Sequence, residues 1–144
     1  MEMDRRLYMY RERLSDLAER IGRDVDAVIV EGKCDERALK KLGMETDIFK
    51  VGRCSIEPFC ERISDIAESV VILTDFDSEG KEINKELRQR LVEETDVLGS
   101  YRKDFGKLMT SKDRYCIEDL NPLFNSPFDK FIDADLDRLF TPLA

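Results

Sequence analysis

The chain has 144 residues, with 24 Lys and Arg against 32 Asp and Glu, no histidine, and a formal net charge of −8. The missing histidine excludes Ser-His-Asp and Cys-His catalysis, a histidine general base and any imidazole-ligated zinc site. Acid–base or metal chemistry must therefore come from carboxylates, thiols, lysines or tyrosines, and oxygen donors favour Mg²⁺, Mn²⁺ or Ca²⁺ over zinc.

The length predicts one domain, and 42% hydrophobic residues suffice for a core. The longest apolar runs, Ala27 to Val30 and Val70 to Leu73, are far short of a membrane span of about 20 residues. The charged N-terminal stretch lacks the apolar centre of a signal peptide, which predicts a cytoplasmic protein with no membrane partner. Cysteines 34, 54, 60 and 116 form no CxxC pair, so a four-thiolate zinc site is not expected and the thiols read as reduced, partly buried side chains.

Leu7, Tyr10, Leu14, Leu17, Ala18 and Ile21 recur at helical spacing, which predicts an N-terminal amphipathic helix over 1–24 closed by Gly22. Val25 to Val30 reads as a buried strand ending at Glu31-Gly32, and Asp35 to Leu42 as a helix stopped by Gly43. A second strand is expected over Thr46 to Val51, then a helix capped by Ser55 with Pro58 in its first turn. Val70 to Thr74 is the third strand, and the loop Asp75 to Gly80 opens a long helix with Ile83, Leu87 and Leu91 inward. Asp96 is read as the cap of another helix, and Tyr115 to Ile117 as a fourth strand ending at Glu118. The remainder, 119–144, is expected to pack on the domain through Leu123, Phe124, Phe128, Phe131, Ile132, Leu136, Leu139 and Phe140, among Pro122, Pro127 and Pro142. Alternating strands and helices predict an α/β fold with about four mainly parallel strands and helices on both faces. Ligands bind such sheets beyond the carboxyl ends of the strands.

Those ends carry acids: Glu31 after the first strand, Asp75 and Asp77 after the third, Glu118 after the expected fourth. Ionised groups beside a core need a partner or a cation, and clustered carboxylates repel unless a divalent ion neutralises them. Asp75 and Asp77 can face one ion, and neighbouring strands about 4.8 Å apart bring Glu31 within reach of it. Gly32 and Gly80 leave room for a phosphate at the backbone, and the helix after Gly80 favours an anion at its start. The structural reading of the same residues is that Asp75, Asp77 and Ser78 cap a helix and Glu31 is solvated.

At these residues the chain resembles the Toprim domain family. Its strand ending in Glu-Gly with a following Asp matches VIVEGKCD (Glu31, Gly32, Asp35), and its later Asp-x-Asp-x-x-Gly matches VVILTDFDSEG (Asp75, Asp77, Gly80). The resemblance spans roughly 25–118, and the wording is most similar to the ribonuclease M5 branch and to small stand-alone archaeal Toprim proteins. It implies a Rossmann-like sheet and Mg²⁺-dependent, alternatively Mn²⁺-dependent, cleavage or transfer at nucleic-acid phosphodiesters, as in a small nuclease of RNA processing or DNA repair. By that likeness Glu31 is the general acid or base and also touches metal, while Asp75 and Asp77 hold Mg²⁺. Asp35 and Glu118 are secondary candidates, the latter because an acid follows a late strand in the ribonuclease M5 branch. That branch carries a C-terminal RNA-binding part, whereas the C-terminal stretch of this sequence is acidic.

Lys33 and Lys81 flank the glycine turns and are candidate phosphate contacts, though solvated lysines at helix starts read the same way. The local basic cluster is Arg102, Lys103, Lys107, Lys112 and Arg114, while 25–80 carries net −6 and 115–144 net −4. With no broad basic footprint, the expected nucleic-acid partner is bound weakly without help. The rival reading is a non-catalytic Mg²⁺ and nucleic-acid or nucleotide module working with a protein partner in a larger complex. A third, a phosphohydrolase of the haloacid-dehalogenase type, fits less well, because Asp-x-Asp follows the third strand rather than the first. Tyr10 and Tyr101 are spaced as core residues rather than as nucleophiles, and Phe76 is expected to pack beneath its loop.

Overall fold

The computed structural model describes residues 2–124. Strand β1 (Ala27–Val30) is buried at every position, as an all-apolar AVIV segment between two covered faces must be. It pairs in parallel with β2 (Asp47–Lys50) on one side and β3 (Ser69–Ile72) on the other, and β4 (Asp96–Val97) extends the sheet beyond β3 in the order β2-β1-β3-β4. Ala27 stands opposite both Asp47 and Val70, so the strands end level and their C-terminal turns meet along one edge.

Side-chain alternation divides the interior in two. Val28, Val30, Val71 and Leu73 point into a core covered by α1 (Glu2–Asp24), α2 (Lys33–Lys41), α5 (Gly99–Thr110) and a 3₁₀ helix (Ile117–Phe124). Ala27, Ile29, Val70 and Ile72 point the other way, against α3 (Ile56–Ile66) and α4 (Ser78–Leu91). The amphipathic pattern of α1 is realised with Tyr10, Leu14, Leu17, Ala18 and Ile21 buried, but the helix runs through Gly22 to Asp24. Gly43 does stop the turn after α2, at φ +101°, a conformation open to glycine at little cost.

The fourth strand differs from expectation. Tyr115 to Ile117 is not a strand; the segment feeds into the 3₁₀ helix, so Glu118 sits in that helix and not at a strand end. Asp96 is a sheet residue rather than a helix cap: its amide donates to the Glu68 carbonyl, and the Leu98 amide donates to Val70. A two-residue strand is too short to show an alternating pattern, whereas the apolar Tyr-Cys-Ile run imitates one. The start of the expected C-terminal packing is present, since Leu120 and Leu123 are buried and the 3₁₀ helix lies on α2. The expected contributions of Pro127, Phe128, Phe131, Ile132, Leu136, Leu139, Phe140 and Pro142 lie outside the described residues. Among the described residues no helix is long and apolar enough to cross a membrane.

Candidate metal centre

Three carboxylates converge where β1 and β3 end. Glu31 directly follows β1, and its Oε2 accepts the Asp75 amide at 3.4 Å. Asp75 leaves β3 through Leu73 and Thr74, and its Oδ1 accepts the Ile117 amide at 2.9 Å. Asp35, in the first turn of α2, is buried, and its Oδ2 accepts the Gly32 amide at 3.0 Å. One oxygen from each of Glu31, Asp35 and Asp75 lies within 4.8 Å of the others. Asp75 also belongs to a second group of the same span, with Asp77 and the Cys116 thiol.

The electrostatics follow from crowding like charges in a partly dry place. Burial, reinforced by the Asp75 carboxyl, pushes Glu31 up to about 8. Burial and the Asp75 charge raise Asp35 to about 6, although the Gly32 and Glu118 backbones hold it down in part. Burial and the surrounding aspartates send the Cys116 thiol to about 12, so it stays a thiol. Its Sγ lies 3.6 Å from Asp77 Oδ2 as a weak donor. Among the described residues no lysine or arginine forms an ion pair with Glu31, Asp35, Asp75 or Asp77.

The scaffold behind the acids is held by Arg102 on α5, which is 9% exposed. Its guanidinium donates to the carbonyls of Ile72, Thr74 and Asp75 at 3.1, 2.8 and 3.2 Å and stacks 4.5 Å from the centre of the Phe76 ring. These carbonyls lie at and beyond the end of the β3 ladder, and a buried carbonyl without a donor is costly. Phe76 packs beneath the loop as expected, against Gly106, where a Cβ would stand 2.7 Å from the ring. Thr74 Oγ1 donates to the Gly80 carbonyl at 2.7 Å, closing the loop upon itself.

The expected metal set of Glu31, Asp75 and Asp77 is thus redistributed. Glu31 and Asp75 come together, Asp35 completes their cluster, and Asp77 groups with Asp75 and Cys116 instead. Asp77 also caps α4, its Oδ1 accepting the Gly80 amide at 2.8 Å, so the structural reading of that residue holds as well. Glu118 is exposed and in neither group, though its backbone and charge face Asp35. Gly32 adopts an extended conformation with open space where a Cβ would go, consistent with a ligand approaching there. Gly80 has a different reason: a Cβ would stand 2.1 Å from the Asp75 carbonyl oxygen. Lys33 and Lys81 are exposed at the first turns of α2 and α4.

Neither the place of Cys116 beside Asp77 nor the clamp by Arg102 is evident from sequence. Arg102 sits within a run of basic residues that reads as a surface cluster, and its place opposite the Phe76 ring on a glycine-bearing helix face is visible only once α5 is docked. The donor set fits a hard divalent cation: three carboxylates from three elements, two of them retaining protons above their ordinary range and none paired with a cation.

No family model matches the chain. Over 115 residues it is 38% identical to the UPF0292 protein of Pyrococcus furiosus, covering 80% of this chain and 86% of that one. Over 119 residues it is 34% identical to the UPF0292 protein of Thermococcus sibiricus, covering 81% and 94%. A solved structure of a protein from Aquifex aeolicus shares the fold with a TM-score of 0.60 at 20% identity, over 74% of this chain and 94% of that one. With these relatives spanning most of its length, the chain belongs to the UPF0292 family.

Proposed function

We propose that the protein is a Mg²⁺-dependent member of the Toprim group that acts on nucleic-acid phosphodiester bonds, as a small nuclease. The observation that carries this reading is the convergence of Glu31, Asp35 and Asp75 oxygens within 4.8 Å at the carboxyl edge of a parallel sheet. The order and spacing of the Glu-Gly and Asp-x-Asp-x-x-Gly motifs support it.

In this reading Asp75, Asp35 and Glu31 hold Mg²⁺ or Mn²⁺, with Asp77 contributing from the group it shares with Asp75 and Cys116. When bound, the ion neutralises phosphate oxygens and lowers the pKa of a coordinated water. Glu31 is the proton carrier. In the metal-free cluster its carboxyl keeps a proton up to about 8; on ligating the ion it would give that proton up and serve as general base toward the attacking water. Ile117 holds Asp75 in orientation through the bond to Oδ1, leaving Oδ2 for the ligand. The Gly32 approach keeps the main chain beside Glu31 open to a phosphate.

The test is incubation of pure protein with end-labelled RNA and DNA in Mg²⁺ or Mn²⁺. Cleavage lost in Glu31→Gln and Asp75→Asn is the expected result. Cleavage unchanged in both variants overturns the assigned roles. Metal binding without turnover on any substrate favours the non-catalytic module, for which the net charge of −8 is the supporting observation.

A further inference from the structure

Two basic depressions flank the carboxylates on opposite sides. One, about 430 Å³, lies over α2 and the end of β2 and is lined by Lys33, Glu36, Arg37, Lys40, Lys41 and Lys50. Glu36 is the single acid there, tied to Lys50 at 3.0 Å and Lys40 at 3.5 Å, which leaves a clear positive excess. The other, about 460 Å³, lies between α4 and α5 just beyond β4, with Lys81, Arg88, Arg102 and Lys103 in its lining and no carboxylate among the described residues there. These cations are scattered along the sequence, and the fold gathers them.

Their placement follows the strand order. Lys50 ends β2, Glu31 follows β1, Asp75 follows β3, and Gly99, in the wall of the second depression, comes just after β4. The carboxyl edge therefore runs from Lys33 and Lys50 past the carboxylates to Lys81 and the start of α5, three strand intervals or about 14 Å at about 4.8 Å each, while Arg37, Lys40 and Lys41 continue the first depression back along α2. Another depression, between α3 and α4, is by contrast predominantly acidic, with Glu57, Glu61, Glu93 and Glu94 against Arg90.

We propose that a single-stranded phosphodiester chain lies across this edge, with flanking phosphates held in the α2–β2 and α4–α5 depressions and one phosphate over the carboxylates. This deepens, and rests on, the reading of the acidic cluster as a phosphodiester site. One row of phosphates fits one row of cations, whereas a duplex presents a second row to be matched.

The probe is a fluorescein-labelled oligothymidylate of about 12 nucleotides, with an oligouridylate and a self-complementary duplex of similar length as further arms, followed by anisotropy across a salt series. The variants are Arg37→Gln with Lys41→Gln, and Arg88→Gln with Lys103→Gln; Lys85→Gln with Lys112→Gln removes the same charge elsewhere. Each pocket pair is expected to weaken single-strand binding roughly ten-fold and to flatten the slope of log K against log salt by about 1.4, two cations at about 0.7 each. The control pair is expected to change binding less than about two-fold. Equal affinity in pocket and control variants, absence of binding by the unmodified chain, or tighter binding of the duplex overturns the proposal. Tightness of DNA against RNA identifies which of the two supplies the backbone. Pocket-dependent binding with no cleavage leaves this surface standing and removes the nuclease reading; cleavage that is indifferent to both pocket pairs does the reverse.

Discussion

The amide of Ile117 donates to Asp75 Oδ1 at 2.9 Å, joining two residues 42 positions apart. Through this bond the first residue of the 3₁₀ helix fixes the rotamer of the acid shared by both carboxylate groups. Next to it the Phe76 amide donates to the Tyr115 carbonyl. The carboxylate cluster is therefore oriented by a segment that contributes no strand to the sheet.

The acid cluster makes metal-free stability depend on pH in a defined direction. Glu31 and Asp35 hold their protons above the ordinary carboxylate range when folded, so the unfolded chain releases them first as pH rises. Their contribution is fully present below the ordinary carboxylate range and is lost as pH rises through about 6 for Asp35 and about 8 for Glu31. Thermal unfolding of metal-free protein at several pH values is expected to show a melting temperature falling over this window. Glu31→Gln flattens the upper part of the profile. Added Mg²⁺ is expected to restore stability at the alkaline end, where the acids are already ionised, and its binding near neutral pH is expected to release protons, visible by calorimetry in buffers of different ionisation enthalpy.

Arg102 donates to three carbonyls at the end of β3, each from a largely buried guanidinium. Arg102→Met removes the donors and keeps most of the volume, and is expected to destabilise the protein by about 3 kcal/mol. Urea unfolding measures this, and a midpoint unchanged from the parent would remove Arg102 from the scaffold. The desolvated guanidinium, lowered to about 10 by burial, remains charged throughout the useful pH range.

The two glycines of the motifs respond differently to the same methyl group. Gly80→Ala would set a Cβ 2.1 Å from the Asp75 carbonyl oxygen, forcing the loop apart, and a loss of about 2 kcal/mol or more is expected. Gly32→Ala meets nothing within 4 Å and is expected to stay within about 0.5 kcal/mol of the parent. If phosphate approaches the Gly32 backbone, that second variant loses nucleic-acid binding while melting normally. Paired melting and binding curves separate the two.

Asp77 has a structural and a ligating role that substitution can divide. Asp77→Asn keeps the cap on α4, because asparagine caps as well as aspartate, and is expected to leave stability nearly unchanged while weakening Mn²⁺ binding. Asp77→Ala loses the bond to the Gly80 amide as well and is expected to cost about 1 kcal/mol. Equal Mn²⁺ titrations for Asp77→Asn and the parent would leave Asp77 a cap alone.

The first three strands and their parallel direction are legible because AVIV and SVVI are β-branched runs that lead into an acid, and DIFK sets Ile48 and Phe49 just before Val51 and the Gly52 turn. Glu31 and Asp75 are legible for a related reason, standing as acids just past buried strands. Asp35 and Asp77 are harder to rank, since local sequence does not say which oxygen faces the site and which is spent on a helix amide. The two-residue β4 gives no periodic signal, and Tyr115 to Ile117 takes its place because buried loop residues and buried strand residues look alike over three positions. The basic depressions are illegible for a different reason: Lys33 and Lys50, or Lys81 and Lys103, become neighbours only through the βαβ crossovers.

The bond from Ile117 to Asp75 also sets an order of events during synthesis. Residues through β3 deliver Glu31, Asp35 and Asp75 to the ribosome exit long before Ile117 to Phe124 emerge. A nascent chain of that length has the acids but neither the amide that orients Asp75 nor the Arg102 clamp, so the cluster takes its final geometry late. Any truncation that removes the 3₁₀ helix takes away the amide that orients Asp75 and uncovers the core face that Ile117, Leu120 and Leu123 bury.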